Sequence, residues 1–438
     1  MFWNRIKKTI KKDDLPIRHK ENSVTNNASR PVIKKIPVVF LQTLVPVGDM
    51  PDYELQQLEL KVSTHAPGEV IFKIKEQSSS LPYLIKGQCH IETGNGSGHL
   101  INASTFKALY PLTNSRQFQC TVIAKSEVRI LHFPANIINL SRQHIRNPLL
   151  NSQDIPDNLK NNAFFDAFCR YFKQDKLIIP CLPDVALKLR SAIQKDIGIQ
   201  EAVKIINFDS VISSRLIQIV NSPLYRAVNP ITNSHDAVAR LGLATTRNLV
   251  TSISIQNLFK SKNKEIKVKV HELWKKSIEV SSISYTLAVL TKKVNPDEAL
   301  LAGLTHNIGA LPILIFADSL SSDKYSEQDL NLTIAALQGM IGTLVLKTWG
   351  FPENLQAIPK NIEKWYGNEK GDLDISDIVL LAKFHSYIAS KQKQRLPPIY
   401  TLPAFQKLGT NELTPDMSLQ TLQDAKQQIA DAMSLFRA

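Results

Sequence analysis

VALKLRSAI at residues 185–193, EAVKIINF at 201–208 and RLIQIV at 215–220 repeat apolar residues at steps of three and four. That spacing gathers them on one face of a helix with 3.6 residues per turn. The stretch from Ile278 to Leu290 behaves the same way, and no strand-like alternation interrupts the chain beyond Ile179. Residues 176–438 are therefore predicted to be all-α. NNAFFDAFCRYF at 161–172 reads as a helix leading into this part, and Leu419, Leu422, Ile429, Met433 and Phe436 fall at helical steps in a tail expected to pack on the bundle.

Working towards the N-terminus, the pattern changes. VIFKI at 70–74, YLIKG at 83–87, CHIET at 89–93, QCTVIA at 119–124 and EVRILHF at 127–133 are short β-rich runs separated by turn residues, the signature of an all-β sandwich or barrel. Gly68 and Gly87 stand where tight turns need them, GNGSGH at 94–99 reads as a hairpin loop, and a helix is predicted over 52–61. The expected organisation is a basic tail and linker over 1–36, a β-domain over 37–140, a connector over 141–175 and the helical domain over 176–438.

The chain has 438 residues, 43% of them hydrophobic, which is enough for two or three domains with real cores. Its formal charge of +14 is local. Residues 1–36 hold ten basic against three acidic residues, and residues 260–276 hold seven against two, so these stretches supply +12 of the total. A nearly neutral remainder argues against nucleic acid as the partner. In residues 1–14, MFWNRIKKTIKKDD, a helix would set Phe2, Trp3, Ile6 and Ile10 against Lys7, Lys8, Lys11 and Lys12. Such a helix can lie on an anionic membrane surface. The 260–276 stretch is expected to be a mobile, solvated loop, with contact to an acidic partner protein, a nucleotide phosphate or nucleic acid as its functional alternative. Cys89, Cys120, Cys169 and Cys181 form no C-x-x-C pair, so no zinc cluster or disulfide framework is expected. No signal peptide and no apolar run near the length of a spanning helix are read, which points to a cytoplasmic protein, peripheral at the inner face of the membrane if the N-terminal helix binds there.

The β-part resembles the cyclic-nucleotide-binding-like domain. The likeness lies in FLQTLVPVGDMPDYELQQL (40–58), HAPGEVIFKIKE (65–76), LPYLIKGQCHI (81–91) and TVIAKSEVRILHFP (121–134). In that family a Gly-Glu pair holds ribose, and an Arg before Ala-Thr or Ala-Ser holds the cyclic phosphate. Here Thr121 takes the late Thr position, so Phe118 falls where the Arg belongs; STFKA at 104–108 offers no Gly-Glu, and Arg116, the one candidate for cofactor binding, is two residues off register. The resemblance thus implies a degenerate sensory or dimerising β-domain, with a cyclic-nucleotide sensor as the alternative.

The helical part resembles the HDOD domain, a degenerate relative of HD-type metal phosphohydrolases. The matching blocks, in the family's order, are IPCLPDVALKLR (179–190), FDSVISSRLIQIVNSPLY (208–225), NPITNSHDAVARLGLATTRNLV (229–250), the Trp274 helix start, EALLAGLTHNIGALPIL (298–314) and GTLVLKTWGFPENLQAI (342–358). Each also reads physically. NSP at 221–223 ends a helix, Asn233, Ser234 or Asp236 can cap the next, Gly242 suits that helix's C-terminal end, and WGFP at 349–352 supplies a buried Trp, a Gly stop and a Pro start.

An active HD site needs a His, a His-Asp pair and a distant Asp around a hydrolytic metal. The pair here is His306-Asn307, an amide in place of the anionic ligand. Lys275, Lys276 and Ser277 stand where the first His belongs, and Gln338 and the 358–367 segment bring no histidine. His306 alone survives as a metal-ligand candidate, and its structural alternative is a buried imidazole bonded to nearby backbone. His235, His271 and His385 show no paired helical spacing. No cofactor and no catalytic residue are assigned. The resemblance implies a non-catalytic bacterial-type signalling protein acting through protein–protein contacts, with a protein of a signalling pathway as partner and a second copy of the chain also open. The enzyme alternative is a divergent metal-dependent phosphohydrolase of nucleotides or cyclic dinucleotides.

Overall fold

The computed structural model describes residues 32–436 apart from 51, 79, 94–97, 114–117, 119, 135–154, 156, 226–228, 262, 321–323, 363, 368–370, 389–395 and 410–418. The proposed membrane helix at 1–14 and the candidate Arg116 lie outside the described residues.

Among the described residues, eight strands form two antiparallel sheets. They are β1 (Val32–Lys34), β2 (Leu60–His65), β3 (Val70–Phe72), β4 (Ser80–Lys86), β5 (Gln88–Thr93), β6 (Gly98–Asn102), β7 (Cys120–Ala124) and β8 (Val128–Pro134). One sheet runs β1-β2-β8-β4 and the other β3-β7-β5-β6. Gly87 turns β4 into β5 at φ 86°, and a Cβ there would sit 2.2 Å from the Glu127 carbonyl oxygen, so glycine is needed on both conformational and steric grounds. Two short helices, α1 (Val38–Leu41) and α2 (Asp52–Gln57), cover one face of the first sheet, where Leu41, Leu44, Met50 and Leu55 pack on Val62, Tyr83, Leu131 and Phe133. The Tyr83 hydroxyl donates to the Val45 carbonyl at 2.9 Å, which closes this layer.

The expected β-domain is therefore present, with three differences. The helix predicted over 52–61 stops at Gln57, and β2 begins at Leu60; the Leu60/Val62 alternation was hidden beneath a helix-like run. The sequence reading passed over β6 because its start lies inside the glycine-rich loop. Strand β1 pairs with β2 through Val32 opposite Val62, so the sheet reaches into the segment assigned to the tail.

The helical part contains α3 (Ala163–Lys173), α4 (Asp184–Ile193), α5 (Ile199–Asn207), α6 (Ser210–Val220), α7 (Ser234–Gln256), α8 (Lys264–Thr291), α9 (Pro296–Thr305), α10 (Ala310–Asp318), α11 (Glu327–Thr348), α12 (Glu353–Gln356), α13 (Ile358–Asn361), α14 (Ile375–Ile388), α15 (Pro403–Lys407), α16 (Gln420–Asp424) and α17 (Lys426–Ser434). Helix α8 is the axis against which α9, α14 and α17 pack. Side-chain caps start several of these helices: Asn162 accepts from Phe165 N–H, Asn233 from Asp236 N–H and Asn295 from Glu298 N–H, each contributing about 1 kcal/mol. Gly242 at φ 76° breaks α7, yet the helix resumes at once, so this glycine makes a kink rather than a terminus. Asn221 caps α6 and ties it forward by donating to the Ile231 carbonyl and accepting from the Ile231 N–H.

Trp274 does not start a helix. It lies in the middle of α8, which begins at Lys264 behind the Asn263 cap. Most of the expected basic loop is therefore helical, and Lys269 pairs with Glu327 of α11 at 2.6 Å. The C-terminal tail packs as expected: Phe436 stacks edge-on against Trp274, and Arg215 donates to the Leu435 carbonyl. Pro296–Asp318 and Glu327–Thr348 are long and apolar enough by composition to cross a membrane, contrary to the sequence reading; the first is 94% buried inside the protein and the second 44%.

The two parts share one continuous hydrophobic core. Ile399–Thr401, a single helical turn between α14 and α15, brings Tyr400 against the sheet that carries Cys89 and Cys120. The Tyr400 ring lies 5.9 Å from that of His99 on β6, and the Tyr366 ring 6.4 Å from that of Tyr110. Tyr366 and Thr401 hydroxyls bond each other at 3.0 Å.

Candidate functional site

The site begins with small residues on α8. A Cβ on Gly303 would meet the Ser281 Cα at 2.4 Å, so glycine lets α8 and α9 approach to backbone contact, and the Ser281 hydroxyl donates to the Leu300 carbonyl at 2.6 Å. At the end of α9 the chain turns through Thr305-His306-Asn307-Ile308-Gly309. A Cβ on Gly309 would lie 2.0 Å from the Gln338 carbonyl oxygen and 2.3 Å from the Gly342 nitrogen. This turn is pressed onto α11 with no room for a side chain, and Gln338, singled out from the sequence, is brought to it.

His306 is buried, and its Nδ1–H donates to the Gly303 carbonyl at 2.6 Å. Burial pushes the imidazole down to about 3, with the Lys383 and Lys276 ammonium groups acting in the same direction and the Gly303 bond against them. Asn307 accepts from the Ser277 hydroxyl at 2.8 Å and donates to the Leu273 carbonyl at 3.3 Å. Both ends of its amide are thereby used by α8. Lys276 and Lys383 reach the same ring, with their Nζ atoms 5.7 and 6.0 Å from the centroid of Tyr387.

These residues do not fit a hydrolytic divalent cation. Such an ion needs anionic oxygen and imidazole donors. Here one imidazole lies beside two cationic groups and an amide already engaged by a serine and a carbonyl. Among the described residues no group of three or more His, Cys, Asp or Glu side chains is placed to hold a metal. The sequence had identified Lys276, Ser277 and the His306-Asn307 pair, and the structure brings them together. It had not identified Lys383, whose tie to His306 spans 77 positions with no local pattern.

A second buried polar cluster links two of the motif blocks. The Tyr225 hydroxyl, just after NSP, donates to Asp297, which also accepts from the Thr245 hydroxyl at 2.7 Å. Trp349 and Arg190 join two further blocks: the indole N–H donates to the Pro180 carbonyl at 2.8 Å, and Arg190 donates to the Gly350 carbonyl while its guanidinium lies 3.9 Å over Phe351. The blocks are thus mutual clamps. In the β-part, Phe118 stacks on Phe72 with centroids 3.9 Å apart, and the Thr121 hydroxyl accepts from the Ile74 N–H. His385 is buried and pushed down to about 3; His235 is exposed beside Asp236.

Residues 179–363 match the HDOD domain family. Residues 179–363 are an HDOD domain. A Treponema pallidum (strain Nichols) protein described as uncharacterized is 27% identical over 190 residues, which span 40% of this chain and 36% of that protein. A crystal structure from Shewanella amazonensis SB2B, provisionally named a metal-dependent phosphohydrolase, is 26% identical at TM-score 0.54 and covers 62% of this chain and 98% of its own. For the β-part, a Silicibacter pomeroyi DSS-3 structure provisionally named a cAMP-binding regulatory protein covers 36% of this chain and 71% of its own, at 11% identity and TM-score 0.20, a likeness too loose to carry an argument. The N-terminal part is strand-rich, and the HDOD region is helical.

Proposed function

We propose that this chain is a signal-transduction protein whose HDOD domain is non-catalytic and works by binding other proteins, with the β-domain over 37–140 sensing or dimerising. The observation that carries this reading is the closure of the Asn307 amide on Ser277 and Leu273, with Lys276 and Lys383 flanking His306. A site built this way spends its polar groups on the fold. The Shewanella protein's provisional name favours the competing reading, a metal-dependent phosphohydrolase. Elemental analysis of the purified full chain, with turnover assays on nucleotides and cyclic dinucleotides, decides between them. The expected outcome is no stoichiometric divalent metal and no turnover; bound metal with activity lost in His306→Ala would establish the enzyme instead.

The full chain is the form to use for partner capture, because the interface through Tyr400 and Tyr366 would be opened by separating the domains. Residues 1–14 would recruit the protein to an anionic inner membrane surface. Deleting them should abolish salt-sensitive binding to phosphatidylserine-containing vesicles, and unchanged binding would refute this role.

A further inference from the structure

The first sheet carries a polar chain away from the helical site. Ser63 and His65 share one face of β2, and His132 of β8 lies one diagonal step from Ser63 on that face, since Lys61 pairs with His132 and Ser63 with Ile130. The Ser63 hydroxyl oxygen is 2.9 Å from His65 Nε2 and 2.8 Å from His132 Nε2. His65 Nδ1 is 2.7 Å from Glu69 Oε1, Glu69 Oε2 accepts from the Ala66 N–H at 2.9 Å, and His132 Nδ1 is 3.1 Å from the Ser80 hydroxyl.

The Glu69 carboxylate only accepts, so His65 donates to it from Nδ1, and in the neutral form of that ring Nε2 carries a lone pair aimed at Ser63. In that form Ser63 donates to His65 and accepts from His132 Nε2–H, while Ser80 donates to His132 Nδ1. Burial favours the neutral His132 ring, pushing it down to about 4, with His65 and Lys61 acting in the same direction. Partial burial works against Glu69 ionisation, but the hydrogen bonds from His65 and the Ala66 N–H outweigh it and hold the carboxyl below its usual range.

We propose that Ser63 is a nucleophilic serine, with His65 as its general base and Glu69 as the carboxylate that positions that base, acting on small carboxylic esters. Carboxylate, imidazole and hydroxyl in this order are what lowers the barrier to serine attack, and here a second imidazole also stabilises charge on the oxygen. Ser63 Oγ bonds to the ester carbonyl carbon while its proton passes to His65 Nε2, and the carbonyl electron pair moves onto an oxygen facing Lys61, an exposed residue of the same face. Collapse breaks the bond to the alcohol, which takes the proton from His65. Water then repeats the sequence, releasing the acid and restoring Ser63. Ser63 itself is 7% exposed between two partly exposed imidazoles, which restricts the substrate to a small one.

The test treats the folded full chain with diisopropyl fluorophosphate, which transfers phosphorus to a nucleophilic oxygen and releases fluoride, and maps the adduct by mass spectrometry. One adduct on Ser63 is expected, forming about a hundredfold or more slowly in His65→Gln; added imidazole should restore labelling in His65→Gly, which a structural role would not produce. Glu69→Gln should slow labelling and change its pH profile, with Glu69→Asp recovering part of both. Absence of a Ser63 adduct on folded protein overturns the proposal, as does labelling undiminished in His65→Gln. Should that variant fail to fold, an unchanged rate in Glu69→Gln overturns it equally.

Discussion

The HDOD turn and the β2 face both bury hydroxyls and imidazoles, but they use them in opposite ways. Around His306 the bonds close on the fold itself: Nδ1–H on a carbonyl one turn back, the Asn307 amide on α8. Around Ser63 the bonds link side chain to side chain, from Ser80 through two imidazoles to a carboxylate. Residue identity alone does not separate the two cases. A histidine whose donor is capped by backbone and whose surroundings are cationic is a packing element; one held between a carboxylate and a hydroxyl has a ring nitrogen aimed at that hydroxyl.

The junction that unites the two halves is where the comparison breaks most readily. Tyr400→Ala, which empties a fully buried position beside Cys89 and Cys120, should lower stability by about 3–5 kcal/mol, measured by denaturant unfolding, with protease cutting appearing in both halves. A similar loss of about 3–5 kcal/mol is expected from Lys407→Ala, since Lys407 bonds Asp377 at 3.0 Å with both side chains buried; if this pair serves only the helical half, the β-part should keep its amide-exchange protection. Gly309→Ala forces a methyl against the backbone of α11 and should cost about 3 kcal/mol, read as a lower thermal midpoint.

Acid separates the halves by their histidines. Burial is the main cause that pushes His99 and His132 of the β-part down to about 4 and His306 and His385 of the helical part down to about 3. The unfolded chain takes up these protons near 6.5, so it binds more protons than the folded chain below that pH. Stability is therefore fully present above about 6.5 and lost as the pH falls towards 3. An acid titration of unfolding should show this slope, made shallower in the helical half by His306→Gln. The smallest effect is expected from Tyr400→Phe. The hydroxyl it removes is buried with no hydrogen-bond partner among the described residues, so stability should stay level or rise slightly; a clear loss would mean the hydroxyl is satisfied in solution.

Much of this was legible locally. The three- and four-residue periodicity located the helices because it reflects a single buried face, and the glycines of β-turns announced themselves through backbone geometry, Gly68 and Gly87 both lying at positive φ. The loss of an anionic ligand at Asn307 was visible from identity alone. Sequence and structure differ where one signal masks another: β2 follows a helix without a break, the lysines before Trp274 look like a loop but lie in α8, and Gly242 looks like a terminus but kinks α7. Lys383, Tyr400 and the Ser63 chain gave no local sign, since each acts on residues distant in sequence.

The sequence by itself determined the two fold classes, the order of the HDOD blocks and the composition of the site at His306, because those follow from short-range periodicity and side-chain chemistry. Only the tertiary structure decided that the β-sheets and the bundle share one core, that Asn307 is consumed by α8, and that Ser63, His65, Glu69 and His132 form one hydrogen-bonded chain. The reason is physical. A hydrogen bond depends on separations of about 3 Å and on which donor remains unspent, and neither is set until strands pair and helices pack.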